Sequence, residues 1–315
     1  MANPDITGEG SGETQVQAAA AAYKDKTGNN VTYTTASDIT AQANLSNGEI
    51  DFAISPTFNG IPAISNIPLL FSPIAIVYGV GGVKTLRLSS NTLAEIFAGT
   101  ITKWNDPKIK AENQRMAKVT LPDTAIKVLY PSSNMDETYG FTNYLHKTSP
   151  EIWTKPASTS FSSAFPTTIP ESFQSSTSTE ALAKVKKTNG AITFMGFEEA
   201  SRNKLTTAYI KNSDDKYVKP TSATATKFIS KAASISAITG EVTFDYAKEN
   251  IARGYPIVAV YYGLWSTSTD KNSAVKAFFD YLVTDYIKTK SKYYAKTSGN
   301  NQTKIVELIN NITNS

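Results

Sequence analysis

The amino-acid sequence predicts an α/β protein, because strand and helix signals alternate along its 315 residues. Strands that alternate with helices of about ten to fifteen residues are typical of βαβ units and a parallel sheet. Two long apolar stretches, 67–80 and 255–264, flank a middle segment that has α/β signals of its own. This arrangement is typical of a chain that leaves one domain, builds a second one and returns to the first.

Strands and helices alternate from the N-terminus onwards. Five consecutive alanines favour the first helix, and Gly28 suits the C-terminal cap of that helix. Ser37 and Asp38 are a good N-cap for the second helix. The predicted elements are strands 5–8, 31–34 and 51–54, and helices 15–26 and 37–46.

The remaining elements follow from apolar spacing and from breaker residues. Two prolines in 67–80 exclude a helix or a membrane span there, so this stretch and 255–264 are predicted to be long buried strands. The stretch 157–179 is rich in Ser, Thr and Pro and predicts a loop. The other predicted elements are helices 92–98, 138–146, 180–187, 273–284 and 304–312, and strands 126–130 and 191–195.

Ligands of open parallel sheets bind where strand carboxyl ends lead into helix N-termini. Three loops of the N-terminal region satisfy this rule, and we expect a binding site among them. They are Gly8–Thr14, Thr35–Asp38 and Ser55–Gly60.

Composition excludes several classes of function. The absence of cysteine excludes disulfides, Cys-ligated zinc and thiol catalysis. The only histidine, His146, argues against a multi-His metal site and a Ser-His-Asp triad, and we interpret it as a helix C-terminal residue. We therefore predict no metal and no cofactor. The net charge is only +4, and no basic patch with base-stacking aromatics is visible, so nucleic acid is not a predicted partner.

The sequence carries weak signals of location. It contains no run of eighteen apolar residues and no recognisable signal peptide, and its start fits a re-expressed mature region or a cytosolic protein equally well. Four Asn-x-Ser/Thr sequons favour a surface location and are candidate glycosylation sites: Asn30, Asn44, Asn301 and Asn311.

The segment 93–109, Leu-Ala-Glu-Ile-Phe-Ala-Gly-Thr-Ile-Thr-Lys-Trp-Asn-Asp-Pro-Lys-Ile, resembles a helix, glycine turn and Trp-Asn-Asp segment of the periplasmic phosphate-binding proteins. Those proteins are solute-binding components of ABC importers. Further matching pieces occur in the family's order at 23–30, 50–55, 141–145, 190–194 and 254–257. The resemblance covers nearly the whole chain. Trp104 and the glycines of these segments are interpreted as packing and turn residues.

The resemblance implies an extracytoplasmic binding protein with two hinged lobes, of the type II periplasmic-binding-protein kind, and not an enzyme. Each lobe would be a mixed, mostly parallel sheet flanked by helices. Lobe one would comprise residues 1–75 plus 255–315, and lobe two 76–254. An ABC permease would be the partner of such a protein.

The phosphate site of the family does not carry over. The family has an Arg before a Gly-Ser-Gly-Thr loop that opens a helix, where charge and loop amides bind the anion. By the resemblance, Pro131 takes the place of that Arg, Met135 that of the Ser and Glu137 that of the Thr. Pro56 stands where the family has an Asp after its third strand. Asp38 and Glu13 add negative charge to the other two loops.

The predicted site is therefore acidic and rich in hydroxyls, which suits a cation, an amine or a polyol. Helix capping is the alternative role for each acid singly. The candidate ligand-binding residues are Glu13, Thr14, Ser37, Asp38, Ser55, Ser133, Asp136, Glu137 and Thr138.

Three functions stay open at this stage. The first is a solute-binding protein whose small-molecule or ion ligand is not phosphate, and the second is a phosphate importer component with a site built from other residues. The third is a self-assembling surface or filament scaffold that keeps the fold without binding a solute. Paired acid–base carboxylates are not predicted at Asp136 and Glu137, because adjacent helical residues point about 100° apart.

Overall fold

The computed structural model describes residues 4–58, 63–114 and 120–313. The chain forms two compact units. The first comprises Met1–Phe71, Ala233–Asp245 and Val260–Ser315, and the second comprises Ser72–Ala232 and Tyr246–Ala259.

The first unit begins with alternating strands and helices, as predicted. Strand β1 pairs in parallel with β2 on one side and with β3 on the other, so Gly10 lies opposite both Thr35 and Ile54. The helices start directly after the strand-end turns, where Ser37 caps α2 by accepting a hydrogen bond from the Thr40 amide. The elements are β1 (Ile6–Gly10), α1 (Glu13–Thr27), β2 (Val31–Thr35), α2 (Asp38–Ser46) and β3 (Phe52–Ser55).

The long apolar stretch after β3 is strand β4 (Ile64–Gly79), which carries the chain from the first unit into the second. Its residues from Ile67 to Tyr78 are buried, which confirms the predicted buried strand.

The second unit contains a mixed sheet in the order β4-β8-β6-β7. Strand β8 is antiparallel to β4, and β6 is parallel to both β8 and β7. Its elements after β4 are β5 (Arg87–Leu88), α3 (Ser90–Phe97), α4 (Pro107–Asn113), β6 (Lys127–Pro131), α5 (Asp136–Thr148), α6 (Phe161–Ala164), β7 (Gln174–Ser176), α7 (Ser178–Lys187), β8 (Ala191–Gly196), α8 (Phe197–Arg202), β9 (Tyr209–Lys211), β10 (Tyr217–Val218) and α9 (Ser222–Ala232).

The prediction that 157–179 is entirely loop is wrong. Helix α6 and strand β7 lie inside this stretch, and β7 pairs with β6 from Leu129–Gln174 to Pro131–Ser176. Strand β7 escaped prediction because it is a short strand at the end of the sheet, with only Ser176 of its three residues buried. Such a strand needs no apolar run. Helices α4, α8 and α9 were not predicted either.

The chain returns to the first unit in its last third. Strand β13 pairs antiparallel with β3, Tyr262 opposite Ser55, and it begins three residues later than the predicted strand 255–264. The hairpin of β11 and β12 also packs in the first unit, where Asn66 donates to the Thr239 carbonyl oxygen, whereas the predicted lobe two included this segment. The elements are β11 (Ala233–Ile235), β12 (Val242–Phe244), β13 (Val258–Ser266), α10 (Asn272–Tyr281), a π-helical turn (Leu282–Tyr286), α11 (Ile287–Thr289) and α12 (Gly299–Asn310).

Aromatic side chains fill the core of each unit. In the first unit, the Phe52 ring lies 5.6 Å from that of Phe278 and 5.5 Å from that of Phe279. In the second unit, the Phe141 ring stacks on Phe194 at 4.4 Å. Ring pairs at these distances stabilise a core beyond the apolar area that they bury.

Among the described helices, none combines the length and the apolar character that a membrane crossing requires.

Gly10 is the last residue of β1, which runs two residues past Gly8, the predicted start of the first site loop. The backbone of Gly10 tolerates no side chain. Its φ is +125°, and an added Cβ would lie 2.0 Å from the Ile54 carbonyl oxygen. We expect Gly10→Ala to lower the free energy of unfolding by about 3 kcal/mol or more, because conformational strain and overlap add. The urea-unfolding midpoint measures this loss.

Gly28→Ala is the matched control. Gly28 also has a positive φ, +77°, but an added Cβ there meets no atom within 4 Å. The free energy of unfolding of this variant should fall by about 1 kcal/mol, because only the conformational strain of the positive φ acts. Equal losses in the two variants would contradict the close approach of Gly10 to β3.

Candidate functional site

The first unit brings three predicted site loops to one sheet edge. Because β2, β1 and β3 are parallel neighbours, their carboxyl ends lie side by side. The Ser11 amide donates to the Ile54 carbonyl oxygen at 2.8 Å, and the Tyr33 hydroxyl donates to the Ser11 carbonyl oxygen at 2.7 Å. These bonds hold the turn after β1 against the neighbouring strands, so the loop is preformed.

The predicted residues of this edge differ in exposure. Glu13 and Thr14 are exposed in the first turn of α1, and Glu13 accepts a hydrogen bond from Gln17 at 3.0 Å. Ser37 caps α2, and Asp38 is the half-buried first residue of that helix. Acids and hydroxyls at these positions stabilise helix N-termini, so capping accounts for part of the predicted pattern.

Ser55 is 0% exposed, unlike the four predicted residues Glu13, Thr14, Ser37 and Asp38. Its hydroxyl oxygen accepts hydrogen bonds from the Gln42 side chain at 3.1 Å and from the Thr57 amide at 3.2 Å. These bonds fix the loop after β3 to helix α2. The end of the predicted loop, Asn59 and Gly60, lies outside the described residues.

The second unit has a corresponding edge at the carboxyl ends of β6, β7 and β8. These three strands are parallel, and α5, α7 and α8 begin where they end. Thr177 opens α7 with a capping box, in which Thr177 and Glu180 satisfy each other's backbone amides. The edge therefore collects three helix N-termini within one unit.

Four predicted residues surround the start of α5. Ser133 is exposed in the loop before the helix, and Asp136 and Glu137 are half-buried in the first turn. Thr138 is 0% exposed, and no described residue accepts or donates a hydrogen bond at its hydroxyl. The structure thus gathers Asp136, Glu137 and Thr138 at one helix terminus, whereas their role in binding stays a prediction.

Apolar atoms occupy much of the pocket beside this terminus. Pro131 ends β6, Met135 precedes α5, and the Met135 sulfur accepts a hydrogen bond from the Ser178 hydroxyl at 3.4 Å. With Phe194 and Glu199 they line a cavity of about 10 Å³. A cavity of that size holds about one water molecule. The cavity itself therefore admits no larger ligand.

Glu199 joins the acids of α5, and sequence reasoning missed it. Burial raises the pKa of its carboxyl above the usual range, and the negative charge of Glu137 raises it further. Glu137 also lies close to α8, since an added Cβ on Gly196 would be 3.0 Å from its Oε1. The available signal was a strand, 191–196, followed at once by Glu198 and Glu199, which is the strand-to-helix pattern used for the other loops.

The candidate glycosylation sites differ in accessibility. Asn311 is exposed, and Asn30 and Asn44 are half-buried, with the Asn44 side chain donating to Glu9 at 2.8 Å. Asn301 is 7% exposed in α12 and donates to the Ala233 carbonyl oxygen at 3.1 Å. A glycan on Asn301 would have to displace this contact, whereas Asn311 presents no such obstacle.

The two residues interpreted as structural lie in the second unit. Trp104 is buried, and its indole N–H donates to the Gly190 carbonyl oxygen at 3.1 Å, which confirms a packing role. His146 lies near the end of α5, with Nδ1 3.1 Å from the Trp153 carbonyl oxygen. Within the described ranges, no three or more His, Cys, Asp or Glu residues cluster in a way that could hold a metal ion.

Comparison with known proteins connects this fold with one family. Residues 3–286 match the PBP superfamily domain. The phosphate-binding protein PstS 3 of Mycobacterium leprae is 34% identical over 222 residues, which cover 68% of this chain and 57% of that protein. The phosphate-binding protein PstS of Pasteurella multocida is 31% identical over 275 residues, 84% of this chain and 76% of that protein.

A solved structure extends the likeness at the level of the fold. A high-affinity periplasmic phosphate-binding protein, solved with bound phosphate, superposes with a TM-score of 0.71 over 96% of this chain and 92% of its own. Its sequence is 18% identical, so this likeness carries the fold alone. The chain spans little more than half the length of the mycobacterial relative.

The raised pKa of Glu199 makes a testable prediction about stability. A carboxyl whose folded-state pKa is raised above its usual value of 4.5 destabilises the fold once pH rises through that raised pKa. Glu199→Gln removes the ionisable group. We therefore expect the melting temperature of the variant to match that of the wild type near pH 4 and to exceed it at pH 7–8.

Glu171→Gln, at an exposed position of the same unit, controls for the change in net charge. Melting curves between pH 4 and pH 8 for the three proteins give the comparison. A Glu199→Gln variant that is less stable than the wild type at pH 8 would show that the ionised carboxylate stabilises the fold.

Proposed function

This chain belongs to the PBP superfamily domain family, and from that premise we propose that it is an extracytoplasmic solute-binding protein whose ligand is not inorganic phosphate. In this proposal it delivers its ligand to an ABC permease and catalyses no reaction. The relatives are named phosphate-binding proteins, so the proposal keeps their class of function and changes the ligand.

The start of helix α5 carries the proposal. By the resemblance, Pro131 takes the place of the family's arginine. The first turn of α5 holds Asp136 and Glu137, with Glu199 of α8 near Glu137. An oxyanion site at a helix N-terminus uses free amides and a positive side chain. This terminus instead has three carboxyl groups in one unit, and the residue at the arginine position is apolar.

Electrostatic magnitudes support exclusion of phosphate. Two unit charges of the same sign 5 Å apart repel by about 3 kcal/mol at an effective dielectric constant of 20. A helix N-terminus returns at most about 2 kcal/mol. A dianion at this terminus faces Asp136 and Glu137 together, so repulsion exceeds the attraction of the helix dipole.

The negative charges of Asp136 and Glu137 favour ligands that are positively charged or rich in hydroxyls. A cation or an amine would interact favourably with Glu137 and Asp136, and a polyol would find hydroxyl and carboxylate acceptors. The buried Thr138 hydroxyl adds a polar group that has no partner among the described residues. The corresponding edge of the first unit, with Glu13 and Asp38, has acids of the same sign. We therefore propose a cationic or polyhydroxylic ligand.

Calorimetric titration with inorganic phosphate at neutral pH tests the first part of the proposal, with the phosphate-binding protein of Pasteurella multocida as the positive control. We expect this protein to show no phosphate binding with a micromolar dissociation constant. Micromolar binding of phosphate would overturn the proposed change of ligand and restore a phosphate-import role.

A thermal-shift panel of putrescine, choline and sorbitol tests the second part. We expect at least one of them to raise the melting temperature, and we expect Glu137→Gln to abolish this shift for a cation or an amine. Glu171→Gln, exposed in the same unit, should leave the shift unchanged. No shift from any compound would contradict the solute-binding proposal and favour a surface scaffold.

A further inference from the structure

The second unit has a larger pocket away from the start of α5. It has a volume of about 470 Å³ and lies where the end of β4, the end of α7 and the end of α8 meet. Pockets that take small organic ligands have volumes of about 300–1,000 Å³. An inorganic phosphate ion would fill only a small part of this one.

Three lysines line this pocket: Lys186 and Lys187 from α7, and Lys204 just after α8. Its lining contains no Asp or Glu. Lys186 donates to the neutral side chain of Asn203 at 3.2 Å. None of the ion pairs formed by the described residues involves any of these lysines. The three lysines therefore line the pocket without a neutralising carboxylate.

Helix C-termini are the ordinary reason for lysines at such positions, because the last carbonyls carry a partial negative charge. The ends of α7 and α8 together supply about one negative charge at most, against the three positive charges. About two positive charges remain in excess. Helix capping alone therefore does not account for the composition of this pocket.

Neutral polar side chains and five apolar ones make up the rest of the lining, the apolar ones being Val77, Val80, Val83, Val185 and Leu205. Thr188, Asn189 and Thr206 bring hydroxyl and amide groups to the pocket. Asn189 uses its carbonyl oxygen to accept from the Gly81 amide at 2.9 Å, which orients the side chain. Tyr78 is buried in the wall, and its hydroxyl finds no hydrogen-bond partner among the described residues. Such a lining suits a molecule that carries both hydroxyls and a concentrated negative charge.

We propose that this pocket is a second binding site, which takes a phosphorylated sugar or another hydroxylated organic anion of similar size. The lysines Lys186, Lys187 and Lys204 bind the anionic group, and the threonine and asparagine side chains bind hydroxyls. The site lies within one unit and involves neither Glu137 nor Glu199. Its test is therefore independent of which ligand binds at the start of α5.

Titration calorimetry with glucose 6-phosphate tests this site. We expect saturable binding to the wild-type protein, weakened by added salt because the lysines are exposed. Glucose should not bind, because it lacks the charge, and inorganic phosphate should bind more weakly than glucose 6-phosphate, because it reaches fewer groups.

Lys187→Gln combined with Lys204→Asn should weaken the binding of glucose 6-phosphate about tenfold, because two exposed ion pairs are lost. Asparagine at 204 tolerates the positive φ of that residue.

The matched control is Lys227→Gln combined with Lys231→Gln, which removes two exposed lysines of α9 in the same unit. It changes the net charge equally and should leave the affinity for glucose 6-phosphate unchanged. Equal weakening in both double variants would show nonspecific attraction and overturn the site. Failure of glucose 6-phosphate to bind the wild type, or equal affinity for inorganic phosphate, would overturn the proposed ligand class. If the double variant Lys187→Gln with Lys204→Asn still gives the same heat on titration with phosphate, that phosphate binds outside this pocket. Such a result would bear only on the proposed function.

Discussion

Parallel pairing of neighbouring strands is the constraint on which both candidate edges depend. Strands β1, β2 and β3 run side by side in the first unit, and β6, β7 and β8 do so in the second. Each strand that ends at such an edge must be followed by a turn, and most of these turns open a helix. Helix N-termini therefore collect at one edge of each sheet, which is also where polar loops meet. The chemistry of either edge is decided by the residues that cap those helices.

Two of the helices at these edges, α2 and α7, are capped by their own side chains, whereas α1, α5 and α8 have no side-chain cap among the described residues. Ser37 and Thr177 bond the amides of their own helices, and Asp136 and Glu137 place negative charge on the first turn of α5. Amides and dipoles that are satisfied within the chain have less to offer an anion. Under the proposed function, the carboxylates on the first turn of α5 would change the ligand of a fold shared with phosphate-binding relatives without any change in topology.

The fold was predictable from sequence wherever burial imposed a strong pattern. The alanine run of α1, the apolar run of β4 and the Ser37 cap each specify one element, and the structure has all three. Strand β7 gave no such pattern because only Ser176 of its residues is buried. Helices α4 and α8 are seven and six residues long, too short for a clear apolar period.

The candidate site was predictable to the extent that it follows strand ends. That rule gave the three loops of the first unit, whereas the family resemblance gave Asp136 and Glu137, which lie in the first turn of α5. Neither could reveal the burial of Ser55 and Thr138, because both depend on tertiary packing. Glu199 was missed because the short helix that carries it was not recognised.

Strand β7 also bears on self-association. In the part of the chain that the structure describes, it is the last strand of its sheet, and the outer backbone groups of such a strand are a template for pairing with another chain. Here the strand is three residues long and polar, and the capping box of α7 ends it immediately. A strand this short offers few backbone hydrogen bonds to an incoming strand. The sheet is thereby protected against strand addition at this end, so a second copy that contacted this edge would have to use side chains.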